Sequence, residues 1–302
     1  MHPELFRIPA FDFPFWPHHF PGFAVHVYGL MIALGFMIGM QLGQREGRRL
    51  DTIRNSGYEK FIQDLTFGIL IASMIGSRVV FIIVEWDDSY GRDPMKIFRI
   101  WEGGLVFYGG LLGGIFFSVY YSWRKGRSFL YVADTLIPSV SLGQFFGRIG
   151  CFAAGCCWGE TADPNHPFAI QFPPGSLIYN SMSRTGLIPP DAPATLHVHP
   201  VQLYESAGNL VLFLLLIALR TQKRFHGWVL CFYLFLYPFL RYSVETLRGD
   251  VGRGENVLHT PFSTSQLISI GLFTVGVIIF VVQSKKAKDS SGADGGGLPV
   301  TV

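Results

Sequence analysis

The stretch FGILIASMIGSRVVFIIV, residues 67–84, decides how this chain has to be read. Its length is close to the roughly 20 residues that an apolar helix needs to cross a bilayer core. Six further stretches share its character, at 24–43, 105–123, 136–152, 201–219, 227–244 and 266–282. Across 302 residues, 49% are hydrophobic and 15% aromatic, and the mean hydropathy is +0.34. That is too apolar for an ordinary soluble protein of this length. The expected fold class is therefore an all-α integral membrane protein with seven transmembrane helices.

The basic residues orient those helices. QREGRR (44–49), WRKGR (123–127), RTQKR (220–224) and KKAK (285–288) follow the first, third, fifth and seventh stretches. The positive-inside rule places all four in the cytoplasm, so the N-terminus is expected outside and the C-terminus inside. The loops EWDDSYGRDP (85–94) and RGDVGRGE (248–255) then face outward, as does the long segment 155–198. Within it, residues 159–198, with their prolines and FAIQFPPGSLIY (168–179), are expected to form a periplasmic cap with short strands between the fourth and fifth spans. The N-terminal FRIPAFDFPFWPHHF (6–20) lacks the basic-then-apolar order of a cleavable signal and suits the lipid interface instead. Residues 1–284 read as one polytopic membrane domain and 285–302 as a disordered cytoplasmic tail. The formal net charge of +3 suggests no nucleic-acid surface.

Three arginines interrupt the apolar stretches: Arg78, Arg148 and Arg241. An ionisable side chain at membrane depth costs about 2.5 kcal/mol or more on insertion scales, so it usually faces a partner or a wet cavity. A buried ion pair, or snorkelling to the interface, explains any one of them equally well. Together, on the outer halves of their helices, they point to a shared anionic ligand in a cavity open to the outer side. Arg241, Glu245 and Arg248 are spaced to share one helical face, with Glu245 holding both guanidinium groups; Gln144 and Arg148 share another. Guanidinium pairs bidentately with phosphate and stays charged at any working pH. In a bilayer the abundant phosphate is a phospholipid headgroup. Gly29, Gly35, Gly39 and the glycines of 103–114 suit close helix packing. Gly143, Gly147 and Gly150 suit either packing or the approach of a headgroup to the backbone. HPVQLYES (199–206) adds His199, Gln202, Tyr204 and Glu205, which polar contacts between helices and the start of a helix explain in part.

VYGLMIALGF (27–36), GSR (76–78), WEGGLVFYGGLLGG (101–114), GRIGCFAAGCCWG (147–159), HPVQLYES and LRYSVETLR (240–248) occur in that order, each on its matching stretch. The ordered set, running from about Val27 to Val282, resembles the bacterial prolipoprotein diacylglyceryl transferases. The resemblance implies an enzyme of the bacterial inner membrane. Its partners would be membrane lipids and a prolipoprotein signal peptide. Such an enzyme moves the diacylglyceryl group of phosphatidylglycerol onto the lipobox cysteine, leaving a thioether and releasing glycerol 1-phosphate. The family's phosphatidylglycerol-binding arginine matches Arg148, its second essential arginine matches Arg241, and the tyrosine of its first-span motif matches Tyr28. Arg78, Gly150, Glu245 and Arg248 complete the expected lipid-binding set. No metal or cofactor is implied. Other readings are a phospholipid-binding or transport homologue without transferase activity, and a membrane thiol oxidoreductase.

Two departures stand out. Tyr108 occupies the place of a histidine favoured in the family for deprotonating the substrate thiol, and a phenol with a pKa near ~10 is a weak base at neutral pH. Cys151 and Cys156, with Cys157 beside them, stand where asparagine and glutamate are frequent. Three readings remain open for these thiols: small buried apolar groups, a disulfide joining Cys151 to Cys156 or Cys157, or a metal or redox site. Their C-x4-C-C spacing matches neither the redox C-x-x-C pattern nor a paired zinc pattern.

Overall fold

The computed structural model describes residues 4–8, 11–12, 19–20, 23–54, 56–86, 93–99, 103–249 and 262–293. The chain is all-α in its membrane part, with five helices long and apolar enough to cross a bilayer. The long helices are α1 (Val27–Arg54), α2 (Tyr58–Val84), α3 (Phe107–Arg124), α4 (Phe129–Ala154), α6 (Val201–Arg220), α7 (Trp228–Glu245) and α8 (Thr264–Ala293), and a short α5 (Leu177–Arg184) lies between α4 and α6. Each expected apolar stretch falls on one of the long helices. By length and composition α1, α2, α4, α6 and α8 qualify as spans. The other two, α3 and α7, are the shortest of the long helices and dilute their aliphatic residues with glycine, tyrosine and tryptophan.

Two helices overrun their apolar stretches at the basic end. α1 carries Arg45, Arg48 and Arg49 to its end at Arg54, and α8 continues over Lys285, Lys286 and Lys288 to Ala293. Lys, Arg, Ala and Glu are strong helix formers, so a helix need not stop where its apolar face does. The tail expected to be disordered from 285 is thus helical as far as Ala293; its remaining residues lie outside the described ones, as do most of the RGDVGRGE loop and residues 87–92. The N-terminal aromatic segment contains paired strands, β1 (Glu4–Ile8) antiparallel to β4 (Phe23–His26) and β2 (Phe11–Asp12) antiparallel to β3 (His19–Phe20).

The chain divides into two compact units. One is formed by residues 40–136. Here Asp51 receives the Tyr58 and Glu59 backbone N–H groups at 2.7 Å each, capping the start of α2. Tyr58, Phe61, Ile62, Leu65 and Val132 form its buried core. α2 packs along α3, and small residues allow the approach: a Cβ on Gly109 would run into the Gly76 carbonyl, and one on Gly113 into that of Ala72. This fits the packing expected of that glycine-rich block.

The other unit holds the described residues up to Gly39 and those from Ile137 to Ala293. α7 packs against α6 and α8. The cap between α4 and α6 is compact: Phe172, Ile178, Tyr179, Met182, Ile188 and Val198 form its own core. The short strands expected there reduce to isolated bridges, Gly159 with Arg248 and Val198 with both Thr161 and Ile170. The segment folds around α5 instead, whose start is capped by Ser176 accepting from the Tyr179 N–H.

Candidate active site

Most of the expected site residues belong to the second unit. Arg148, near the end of α4, pairs through Nη2 with Glu205 Oε1 on α6 at 2.9 Å. The Glu205 side chain is only 2% exposed, and its Oε2 has no hydrogen-bond partner among the described residues. An unpaired carboxylate could not be kept at this depth, so Arg148 and Glu205 require each other. One turn earlier on α4, Gln144 Oε1 accepts from the Tyr233 hydroxyl at 3.1 Å. Tyr233 stacks on Tyr237 with ring centroids 5.2 Å apart. Tyr237 lies within electrostatic range of Arg148 and one turn before Arg241.

Arg241 is fixed from two sides. Its Nη2 meets Glu245 Oε2 at 2.7 Å and donates to the Ser265 hydroxyl at 2.8 Å. Ser263 in turn donates to Glu245 Oε1 at 3.0 Å. Its Nη1 is buried and without a partner among the described residues. Leaving a buried guanidinium donor without a partner costs free energy, so this nitrogen calls for an acceptor.

Arg248 corrects the expectation of one helical face. α7 ends at Glu245, and the chain turns through a bond from the Arg248 N–H to the Glu245 carbonyl at 3.2 Å. Arg248 then forms the bridge to Gly159 in the cap. Its spacing from Arg241 suits a helix, but the helix stops three residues before it is reached.

Tyr28 opens α1 and packs on Gly150. A Cβ on that glycine would stand 3.1 Å from Tyr28 Cδ2, 3.2 Å from its Cα and 3.3 Å from Met31 Cβ. A Cβ built on Gly143 or Gly147 would meet nothing described within 4 Å outside its own helix backbone. So Gly150 brings α1 close, as does Gly143, whose Cα a Cβ on Gly35 would meet at 3.4 Å, whereas a side chain at Gly147 would point into open space.

Arg78 and Tyr108 belong to the first unit. Arg78, although buried, binds the backbone: Nε donates to the Ile97 carbonyl at 3.0 Å, Nη1 to Gly103 at 2.7 Å and Gly104 at 3.2 Å, and Nη2 to Lys96. Its guanidinium also lies 5.5 Å from the centre of the Phe81 ring. Tyr108 stands half-exposed in the first turn of α3, edge-on to Phe107.

The four cysteines are free thiols. Cys151, Cys156 and Cys157 gather at the end of α4, with every sulfur within 4.8 Å of the other two. Hydrogen bonds from Cys151 and Cys156, and then the charges of Arg148 and Arg248, hold the Cys157 thiol well below its ordinary range. The same sulfur contacts push Cys156 upward.

Sequence reasoning had not placed Glu205 in the site. Its motif was visible, but no spacing links a residue on α6 to one on α4. Ser263 and Ser265 were missed for the same reason.

A family model described as prolipoprotein diacylglyceryl transferase matches residues 17–282. The chain is 32% identical over 263 residues to a phosphatidylglycerol–prolipoprotein diacylglyceryl transferase of Bacillus cereus (strain G9842), covering 87% of this chain and 89% of that one. It is 31% identical over 271 residues to the second such transferase of Clostridium perfringens (strain 13 / Type A), covering 90% and 96%. A Bacillus anthracis (strain CDC 684 / NRRL 3495) relative of the same name is 32% identical over 87% of this chain and 89% of its own. A match spanning every helix of the membrane part, at this identity, shows that the chain belongs to the prolipoprotein diacylglyceryl transferase family.

Proposed function

We infer that this protein transfers the diacylglyceryl group of phosphatidylglycerol to the lipobox cysteine of a prolipoprotein, as the names of its relatives state for them. The observation that carries the site assignment is the buried Nη1 of Arg241, without a partner among the described residues, in the same unit as Arg148. Both guanidinium groups are held by carboxylates, Arg241 by Glu245 and Arg148 by Glu205. They are thereby preorganised for a phosphate in a region of low dielectric. The headgroup phosphate enters beside Gly147, where an added side chain would meet nothing described within 4 Å, and takes its hydrogen bonds from Arg148 and Arg241. Arg78 is better read as the residue that shapes the loop 96–104 than as a headgroup ligand, since its donors already serve carbonyls. Arg248, bridged to Gly159, stands at the cap side.

The reaction follows from the charges. The thiolate of the incoming peptide attacks the glyceryl carbon, a carbon–sulfur bond forms, and the carbon–oxygen bond to the phosphate breaks. Negative charge grows on the departing glycerol 1-phosphate, so the arginines bind the transition state more tightly than the intact lipid. The thiol proton must leave first, and we assign its acceptor to Tyr108 in the phenolate form, at the place where the resemblance puts the family histidine. The orientation we propose has seven spans in the bacterial inner membrane, with the N-terminus and the cap outside, because only then do all four basic clusters face the cytoplasm.

The test is direct. Purified protein, phosphatidylglycerol vesicles and a lipobox peptide should yield the diacylglyceryl thioether and glycerol 1-phosphate by mass spectrometry, and Arg148→Ala should yield neither. Lipid binding by the native protein with no thioether formed would sink the transferase reading.

A further inference from the structure

The thiols of Cys151, Cys156 and Cys157 take no part in the transfer step, yet the fold gathers them closely, with all three sulfurs within 4.8 Å of one another. Cys151 sits in the last turn of α4, which Gly155 ends in the left-handed conformation, φ 67°. The Cys156 N–H then returns to the Cys151 carbonyl at 3.1 Å, and its Sγ reaches the same oxygen at 3.6 Å. Cys157 is the only non-glycine residue with positive φ among the described residues, at 58°. That conformation strains an L side chain by about 1–2 kcal/mol. Glycine or asparagine would make the same turn with less strain, so what cysteine contributes here is its sulfur.

We propose that the three thiols at the end of α4 form a binding site for a thiophilic d10 cation, Zn2+ or Cu+, held by three sulfurs. Zinc–sulfur bonds of about 2.3 Å put tetrahedral sulfurs just under ~4 Å apart, so the cluster needs to close by about 1 Å at most. Soft thiolates select such ions over calcium or magnesium. Each sulfur gives its proton to solvent as the metal–sulfur bond forms, and no oxidant or reductant is consumed. The surroundings suit the charge. The negative end of α4 points at the cluster, and Arg148, which would otherwise repel a cation, is already paired with Glu205. Three thiolates around a divalent ion leave one negative charge, which the nearby guanidinium complements. Gln202, fully buried on α6, donates through Nε2 to the Cys156 carbonyl at 2.7 Å, and its Oε1 has no partner among the described residues. The Cys156 carbonyl is thereby anchored to α6, which fixes the turn that carries two of the three sulfurs.

The cluster lies beside Arg148, but metal binding is read without the transfer assay, so either reading can fail without the other. The reduced, metal-stripped protein, full length in detergent, is titrated with Co2+ as a spectroscopic probe, then with Zn2+ and, in a second arm, Cu+. One equivalent of Co2+ is expected to give thiolate-to-cobalt charge-transfer bands, which Zn2+ or Cu+ displaces. Cys151→Ser, Cys156→Ser and Cys157→Ser should each weaken binding by more than about tenfold, the loss already seen when only a residue supporting a ligand is changed. Cys231→Ser should leave binding intact. Three outcomes overturn the proposal: no charge-transfer band from the native reduced protein, binding unchanged in Cys157→Ser, or a disulfide among the three thiols whose reduction restores no metal affinity. The last would assign the cluster to redox chemistry.

Discussion

At Glu205 a single carboxylate decides how Arg148 stands. The substitution Glu205→Gln keeps the shape of the side chain and removes the charge that Arg148 opposes. We expect a loss of about 2 kcal/mol, below the ~3–5 kcal/mol of a fully enclosed pair because the guanidinium keeps some exposure. Thermal unfolding in detergent measures that loss, and the transfer rate should fall by up to about a hundredfold as Arg148 shifts. At Tyr108 the question is proton transfer. Tyr108→Phe should lower kcat on the order of a hundredfold with KM for the lipid little changed; an unchanged kcat removes Tyr108 from the chemistry. The sequence showed Arg148 and Arg241 as charges in apolar surroundings, because that anomaly is local. It could not show Glu205 as the partner of Arg148, since their meeting depends on how α4 and α6 pack. Nor could it show Cys157 turning left-handed, and that turn is what makes a linear spacing foreign to zinc motifs into a cluster.

Among the elements, α4 does the most positioning, and its glycines divide by what they touch. Gly150→Ala would push Tyr28 and Met31 away from α4 and should destabilise by about 1–3 kcal/mol, as overpacking does. Gly147→Ala meets nothing described within 4 Å, so stability should stay within about ±0.5 kcal/mol. If the headgroup enters there, KM for phosphatidylglycerol should still rise; paired melting curves and lipid titrations of the two variants would show the contrast. Helix positions were legible in the sequence because apolar length is a property of each segment alone. Helix ends were not. α1 and α8 continue over basic residues that propensity favours, and α7 stops at Glu245 although the pattern of charges invites another turn. The cap was legible as a folded segment from its prolines and aromatics, but its core formed around α5 rather than around strands.

At the scale of the whole molecule, the four basic clusters make orientation a measurable quantity. Alkaline phosphatase fused after Asp163, in the cap, should be active, and fusions after Lys125 or Lys223 should be inactive; the reverse pattern would invert the proposed topology. The Arg148–Glu205 pair also bears on how such a chain is made. α4 leaves the ribosome with its arginine well before the carboxylate that neutralises it has been synthesised, because the entire cap lies between them. Until α6 emerges, α4 carries an uncompensated charge in the outer half of its span, at a cost below the ~2.5–3.5 kcal/mol of the bilayer centre. Committing α4 to lipid alone carries that cost, which entering together with α6 as a neutral couple would avoid. The Arg148–Glu205 pair thus also gives the chain a reason to deliver α4 and α6 to the membrane together.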